Sequence, residues 1–240
     1  MSQIESRLGG VVAVVPAAGI GSRMGAAMAK QYLALGQQTI LAHTLDALLA
    51  HPAIEKIVVA LHPQDDHFQD LSQSRDPKVV TVIGGGERAD SVLAALQWIT
   101  QHYPQDNNIW ALVHDAARPC VRRVDIDNLL DSRITFPQGA ILAAPVRDTM
   151  KRANSDGTIN TTECREALWH ALTPQLFKAD ELASNLAAAL AAKVAVTDEA
   201  SAMEWAGIAP GLVSGHSDNI KVTHPDDLAL AGLLLNSQGR

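Results

Sequence analysis

Four short stretches of the chain carry residue types suited to phosphate chemistry. The first is Pro16-Ala17-Ala18-Gly19-Ile20-Gly21-Ser22-Arg23-Met24, with Lys30 six residues beyond Met24. Glycines let backbone N–H groups come close to phosphate oxygens. Arg23 and Lys30 add positive charge for a triphosphate and a leaving pyrophosphate. No Gly-Lys-Ser/Thr follows at Walker spacing, and Met24 stands where a dinucleotide fingerprint needs its third glycine. A plain tight turn remains the competing reading of this loop.

The second stretch, Gly84-Gly85-Gly86-Glu87-Arg88-Ala89-Asp90-Ser91, could meet a base or ribose through its glycines and Ser91. It could equally be a flexible connection. The third is His114-Asp115-Ala116-Ala117-Arg118-Pro119. Mg²⁺ takes a few carboxylates plus phosphate oxygens, which suits Asp115 near a triphosphate. Arg118 is either a phosphate clamp or a partner for Asp115, and a lone histidine such as His114 reads as structural. In the fourth, Asp218-Asn219-Ile220-Lys221-Val222-Thr223, Asp218 is a second candidate metal ligand and Lys221 a candidate phosphate contact. Its competing reading is an ordinary polar strand entry. Thr149, Arg152, Arg165, Thr173, Thr197 and Asp198, taken singly, read as surface polar residues.

These stretches need strands to place them. Val11–Val15, Ile57–Leu61, Val79–Ile83, Ile109–Val113 and Ala140–Ala144 are short β-branched or apolar runs, as expected of strands buried on both faces. Between them apolar residues recur at helical spacing, as in Ile40, Leu41, Thr44, Leu45, Leu48 and Leu49, and in Val92, Leu93, Leu96 and Ile99. Pro63 suits the first turn of a helix through Leu71. The alternation predicts an α/β fold of Rossmann-like type, a mostly parallel sheet with helices on both faces. The phosphate-type loops then fall at strand C-termini, where open α/β sheets bind ligands. The second strand ends in Leu61-His62-Pro63, not in the acid expected to hold a dinucleotide's ribose.

One segment breaks the alternation. Val146–Arg152, a turn at Asn154–Gly157 and Thr158–Thr162 read as a polar β-hairpin. An isolated hairpin is marginal in water, so this arm, at about 146–167, needs a partner surface. A second copy of the chain is the economical candidate. The expected organisation is one domain over 1–240 from which the arm projects.

Composition limits the function classes. The chain is 47% hydrophobic and 19% charged, with net charge −7, which argues against wrapping long nucleic acid. Cys120 and Cys164 form no CxxC pattern, and no histidine spacing suggests zinc. The first ten residues lack an apolar signal region, and Leu182–Ala195 is too short and polar to span a bilayer. A cytoplasmic protein is expected.

The motifs together resemble the 2-C-methyl-D-erythritol 4-phosphate cytidylyltransferase family, over about Val11 to Leu235. They are PAAGIGSRM with Lys30, GGGERADSV at 84–92, HDAARP at 114–119, APVRDTMKR at 144–152, LWHALTPQ at 168–175, TDEAS at 197–201 and DNIKVT at 218–223. The first loop alone is also similar to sugar-nucleotide pyrophosphorylases. The resemblance implies attack of the methylerythritol phosphate oxygen on the α-phosphorus of CTP, with loss of pyrophosphate and Mg²⁺ as cofactor. It implies that Ala17, Ala18, Gly19 and Gly21 hold the triphosphate, and that Arg23 and Lys30 stabilise charge at the α-phosphorus and pyrophosphate. Gly85, Gly86 and Ser91 would recognise cytosine, and Asp115 and Asp218 would lie near Mg²⁺ and ribose. Arg118, Thr149, Arg165, Thr197 and Lys221 would face the acceptor, with Arg165 and Lys221 counted among the catalytic groups. In the family the arm reaches a neighbouring subunit, so Thr149 and Arg165 would act across a homodimer interface.

Two positions depart from the family pattern. Gly86 stands where an acidic residue is common, and Thr162-Glu163-Cys164-Arg165 replaces a valine-aspartate-arginine. Transfer to another polyol phosphate, such as ribitol 5-phosphate, is a close alternative. A nucleotide sensor or an NAD-dependent oxidoreductase is a more distant one.

Overall fold

Strand β1 (Val11–Ala17) shows why the first apolar run is continuous. Val11, Ala13, Val15 and Ala17 point into one core, and Val12 and Val14 into another. A strand covered on both faces has no polar face to show in its sequence. The computed structural model describes residues 9–19, 28–104 and 108–240.

After β1 come a small hairpin, β2 (Ala34–Leu35) and β3 (Gln38–Thr39), and helix α1 (Ile40–Leu49), capped by the Thr39 hydroxyl. Next are β4 (Ile54–Leu61), β5 (Val79–Ile83), α2 (Arg88–His102), β6 (Trp110–Val113) and α3 (Arg123–Asp131). Then β7 (Ala140–Pro145) leads into β8 (Met150–Ala153) and β9 (Ile159–Glu163), and the chain returns along β10 (Trp169–Lys178). Helices α4 (Ala179–Ala191) and α5 (Glu199–Trp205), strand β11 (Gly211–Ser214) and helix α6 (Pro225–Ser237) complete it.

Seven strands form the central sheet in the order β11-β7-β10-β6-β1-β4-β5. All neighbours are parallel except β10, which runs antiparallel to both β6 and β7. The expected mostly parallel α/β sheet is therefore present. Leu41, Leu45 and Leu48 of α1 and Ile126, Leu129 and Leu130 of α3 fill one core. Val92, Leu96 and Ile99 of α2, Leu182 and Leu186 of α4, and Met203 of α5 fill the other. Both sets recur at helical spacing, so each helix buries one stripe.

The expected helix from Pro63 to Leu71 is not formed. Two single 3-10 turns, Phe68–Asp70 and Ser72–Arg75, take its place, with Leu71 extended between them. The Asp65 carboxylate accepts the N–H groups of His67 and Phe68 and sets a local turn instead. With only Phe68 and Leu71 apolar across 63–71, the segment lacks the stripe that stabilises a short helix.

The hairpin does form. Strands β8 and β9 make their own two-stranded sheet beyond the end of the β7/β10 pair, to which the Val146 N–H→Leu168 O bond connects it. Its residues are almost all exposed, including Met150 and Ile159. Among the described residues, no helix is long and apolar enough to cross a membrane.

Chain order fixes where a ligand can enter. From β1 the chain steps through β4 to β5, then returns to place β6 on the other side of β1. The crevice beyond the carboxyl ends of β1 and β6 is thus the topological switch point.

Gly139 gives one test of this packing. Its φ is +111°, and a Cβ there would lie 2.1 Å from the Phe177 ring and 2.7 Å from the Leu176 carbonyl oxygen. Gly139→Ala is expected to cost about 2 kcal/mol or more. An unchanged denaturant midpoint would contradict this account of the β7/β10 edge.

Candidate active site

The loops that leave β1, β5 and β6 converge on the switch-point crevice. They enclose a cavity of about 190 Å³, which the segment before α6 closes through Lys221. The first loop is pinned by Gln31, which is 4% exposed. Its Nε2 donates to the carbonyl oxygens of Ala17, at 2.8 Å, and Gly19, at 3.1 Å. Lys30 lines the cavity, and its Nζ donates to the Val222 carbonyl, tying this loop to the 218–223 segment. Gly21 and Arg23 lie outside the described residues.

The second loop needs two of its three glycines for close approach. A Cβ on Gly84 would stand 2.6 Å from the Ala18 Cβ, and one on Gly85 2.2 Å from the Asp90 Cβ. Gly86 has open space around it, so a side chain there would meet no clash. The Ser91 hydroxyl accepts the Gly85 N–H and donates to the Glu87 carbonyl, which shapes the loop from within. Glu87 and Asp90 form a capping box on α2 and place Arg88 at its first position.

Asp115 lies at the centre of the charge arrangement and is 7% exposed. One oxygen, Oδ1, accepts Arg88 Nε at 2.8 Å. The other, Oδ2, has Lys221 Nζ at 2.9 Å and Arg118 Nε at 3.7 Å. Burial alone would raise the Asp115 carboxyl. Arg88, Lys221 and Arg118 outweigh it and hold the group well below the usual carboxylate range. The rest of the Arg88 guanidinium forks onto Glu199, at 2.6 and 3.1 Å. Burial opposes the charge on Arg88, and the two carboxylates more than restore it. Four cations, Arg88, Arg118, Lys221 and Lys30, thus gather around two buried carboxylates in a chain that is acidic overall. The local field favours an anion.

His114 holds this arrangement from beneath. The Arg118 carbonyl can only accept, so His114 Nε2 carries the proton and donates to it at 3.0 Å. On the neutral ring Nδ1 then accepts the Thr173 hydroxyl at 2.9 Å, and Thr173 Oγ1 accepts the Asp115 N–H. Burial is the largest influence on the ring and lowers its pKa to about 4.

A second cavity, of about 470 Å³, adjoins the first. Arg118, Arg147, His170 and Lys221 line it, and Lys221 borders both cavities. Arg118 is fixed by a 2.6 Å bond to the Asn219 carbonyl, and the Asn219 side chain donates to the Thr173 carbonyl.

The structure therefore gathers Ala17, Ala18, Gly19, Lys30, Gly85, Gly86, Ser91, Asp115 and Lys221 around one cavity, and sets Arg118 in the next. Asp218 lines neither; its carboxylate pairs with Arg122. Thr149 and Arg165 are exposed on the arm, and Thr197 is exposed just before α5. Arg88, Glu199, Gln31 and the bonds made by Thr173 were not assigned from the sequence. Arg88 and Glu199 lie within quoted motifs, but neither residue type nor spacing marks two side chains 111 positions apart as partners.

An α/β sheet with a cationic cavity at its switch point, glycine loops on two strands and no Walker lysine defines a nucleotide-handling transferase. The model of the 2-C-methyl-D-erythritol 4-phosphate cytidylyltransferase family matches residues 11–237. A protein of that name from Shewanella amazonensis is 66% identical over 98% of this chain and 97% of its own length. Among solved structures, a 4-diphosphocytidyl-2C-methyl-D-erythritol synthase aligns with a TM-score of 0.82 at 36% identity, over 94% of this chain and 98% of its own. The Francisella tularensis cytidylyltransferase aligns at 0.79 and 35%, over 94% and 99%. The chain belongs to the 2-C-methyl-D-erythritol 4-phosphate cytidylyltransferase family, and it is a nucleotidyltransferase.

The His114 network has a pH signature. A histidine whose folded pKa is about 4 against an ordinary 6.5 binds its proton more readily in the unfolded chain. Its effect on stability is constant above 6.5, turns unfavourable as pH falls from 6.5 towards 4, and levels off below. The slope approaches roughly 1.4 kcal/mol per pH unit. The Asp115 contribution falls away only below its ordinary value of 3.8, outside that window. Equilibrium unfolding of wild type and His114→Gln from pH 7 to 4 should show the slope reduced in the variant. Equal slopes would remove His114 as its source.

Proposed function

We propose that this enzyme transfers the cytidylyl group of CTP to 2-C-methyl-D-erythritol 4-phosphate, with CTP in the first cavity and the acceptor phosphate in the second. The family match carries the identity of the two substrates, and the observation that carries their placement is Lys221, which borders both cavities and is held 2.9 Å from Asp115. A phosphate oxygen of the acceptor attacks the α-phosphorus, the new P–O bond forms, and the bond to pyrophosphate breaks. Little covalent chemistry is asked of the protein, so positioning and charge stabilisation carry the rate.

In this scheme the backbone of Ala17, Ala18, Gly19 and Gly21 cradles the triphosphate. Lys30 and Arg23 offset charge at the α-phosphorus and the leaving group. Gly85, Gly86 and Ser91 border the base, and Asp115 the ribose side. Lys221 and Arg118 meet the acceptor phosphate, with Arg147 adding charge in the same cavity. Thr197, exposed just before α5, is given to the acceptor side by the family resemblance of its TDEAS motif.

The carboxylates suit Mg²⁺ in a limited way. Asp115 lines the cavity but already faces three cations, and Asp218 is paired with Arg122. Among the described residues, no group of three His, Cys, Asp or Glu side chains converges. That donor set fits an ion held chiefly by triphosphate oxygens and met by Asp115, the usual manner for Mg²⁺. When bound, the ion would neutralise charge on the triphosphate. Asp218, which lines neither cavity, would serve the site by anchoring the 218–223 segment to Arg122.

The arm supports a homodimer reading. Met150, Ile159, Leu168 and Trp169 expose apolar surface along the hairpin and its base. A partner covering them would lie beside Thr149 and Arg165, which the arm carries exposed. Two free cysteines, Cys120 and Cys164, fit a reducing cytoplasmic setting.

Pyrophosphate release from CTP in the presence of methylerythritol phosphate and Mg²⁺ tests the reaction. Much faster release with ribitol 5-phosphate would overturn the acceptor assignment. Lys30→Ala is expected to lower turnover about a hundredfold; turnover within a few-fold of wild type would remove its role. Replacing residues 150–163 by a short Gly-Ser turn should give a monomer in sedimentation. A dimer of unchanged strength would exclude the arm as the interface.

A further inference from the structure

We propose that Glu199 is a positioning residue for the transfer step and acts by fixing Arg88, which holds one oxygen of Asp115 and so orients the other toward Lys221. The inference rests on the cytidylyl-transfer reading. Glu199 is 2% exposed and touches neither cavity. It is the first residue of α5, where the helix dipole favours a negative charge. The residues on either side of it are held by Gln175 of β10, itself 1% exposed. Gln175 Nε2 donates to the Asp198 carboxylate at 2.8 Å, and its Oε1 accepts the Ala200 N–H at 2.9 Å. These bonds hold the start of α5, and so the stem of Glu199, against β10.

The pair is bidentate: Arg88 Nη1 to Oε1 and Nη2 to Oε2. Arg88 also donates its Nε–H to Asp115 Oδ1, so one guanidinium spans both carboxylates. With Oδ1 held there, Oδ2 faces Lys221 at 2.9 Å. Without Glu199 the Arg88 guanidinium loses the bidentate anchor that fixes its plane. Asp115 Oδ1 then loses its fixed donor, the carboxylate is free to rotate, and the contact that aims Lys221 between the two cavities loosens. The same bond joins the Thr197–Ser201 segment to the first turn of α2.

A role through Lys221 makes a different prediction from general support of the fold. Turnover at saturating substrates is measured for wild type, Glu199→Gln, Lys221→Met and the double variant, with melting temperatures alongside. Glutamine offers one acceptor and points a donor at the fork. Glu199→Gln is expected to lower kcat about tenfold when Lys221 is present, and less than about twofold in the Lys221→Met background. Glu199→Asp keeps the charge on a shorter stem and should retain more activity than Glu199→Gln. Equal fold-losses with and without the Lys221→Met substitution, or an unchanged kcat in Glu199→Gln, would overturn the proposal. If Glu199→Gln does not fold, the same comparison is made with Glu199→Asp, where an equal loss in both backgrounds is again the overturning result. Wild-type enzyme that fails to turn over CTP with the acceptor would instead defeat the underlying reaction, so the two failures are distinct.

Discussion

The active site depends on keeping one carboxylate charged where water is scarce. Desolvating Asp115 is unfavourable by several kcal/mol unless partners replace the lost hydration. Three cations do so, and they come from three regions of the chain: Arg88 from the start of α2, Arg118 from the loop after β6, and Lys221 from the segment before α6. None of them neutralises Asp115 alone. Because they exceed it in charge, the assembly keeps a positive field in the crevice. The constraint works in both directions, since cations packed this closely would repel one another without Asp115 between them.

Holding three loops to one carboxylate demands rigid supports, and β10 supplies most of them. It is the strand that runs against the sheet's direction, which brings Thr173 and Gln175 beside the end of β6. Thr173 bonds to His114, to the Asp115 N–H and, through its carbonyl, to Asn219. Gln175 sets the start of α5. A continued parallel strand would present its other end to this crevice. The antiparallel insertion thus determines where the buried hydrogen bonds of the site lie.

Legibility in the sequence followed the range of the interactions. The runs at Val11–Val15 and Val79–Ile83 were readable because double burial leaves a continuous apolar signal, and the helix stripes because their period is local. Glycines at 84 and 85 read in the sequence either as a loop meeting a base or ribose or as a flexible connection; their tight packing against Ala18 and Asp90 is visible only in the fold. At Pro63 the proline signals a helix start, but the segment has no apolar stripe and the Asp65 carboxylate closes a local turn instead. Arg88 with Glu199, and Asp218 with Arg122, were illegible for another reason. Each is an ion pair across about a hundred positions or more, and no local pattern records which distant cation a carboxylate meets.

The segment from Asp218 to Thr223 shows how such distant pairs become a site. Its Val222 N–H donates to the Ala117 carbonyl, and its Val222 carbonyl receives Lys30 Nζ. One residue's backbone therefore bridges the loop after β6 and the loop after β1. Lys221, next to it, is carried to Asp115, and Asn219 fixes Arg118. Arg122 holds Asp218 and so anchors the segment's start. In the sequence this stretch reads as an ordinary polar strand entry; in the fold it joins both phosphate loops to both cavities. Transfer between two bound phosphates needs the groups that meet them to share one rigid frame, and this segment with β10 supplies it.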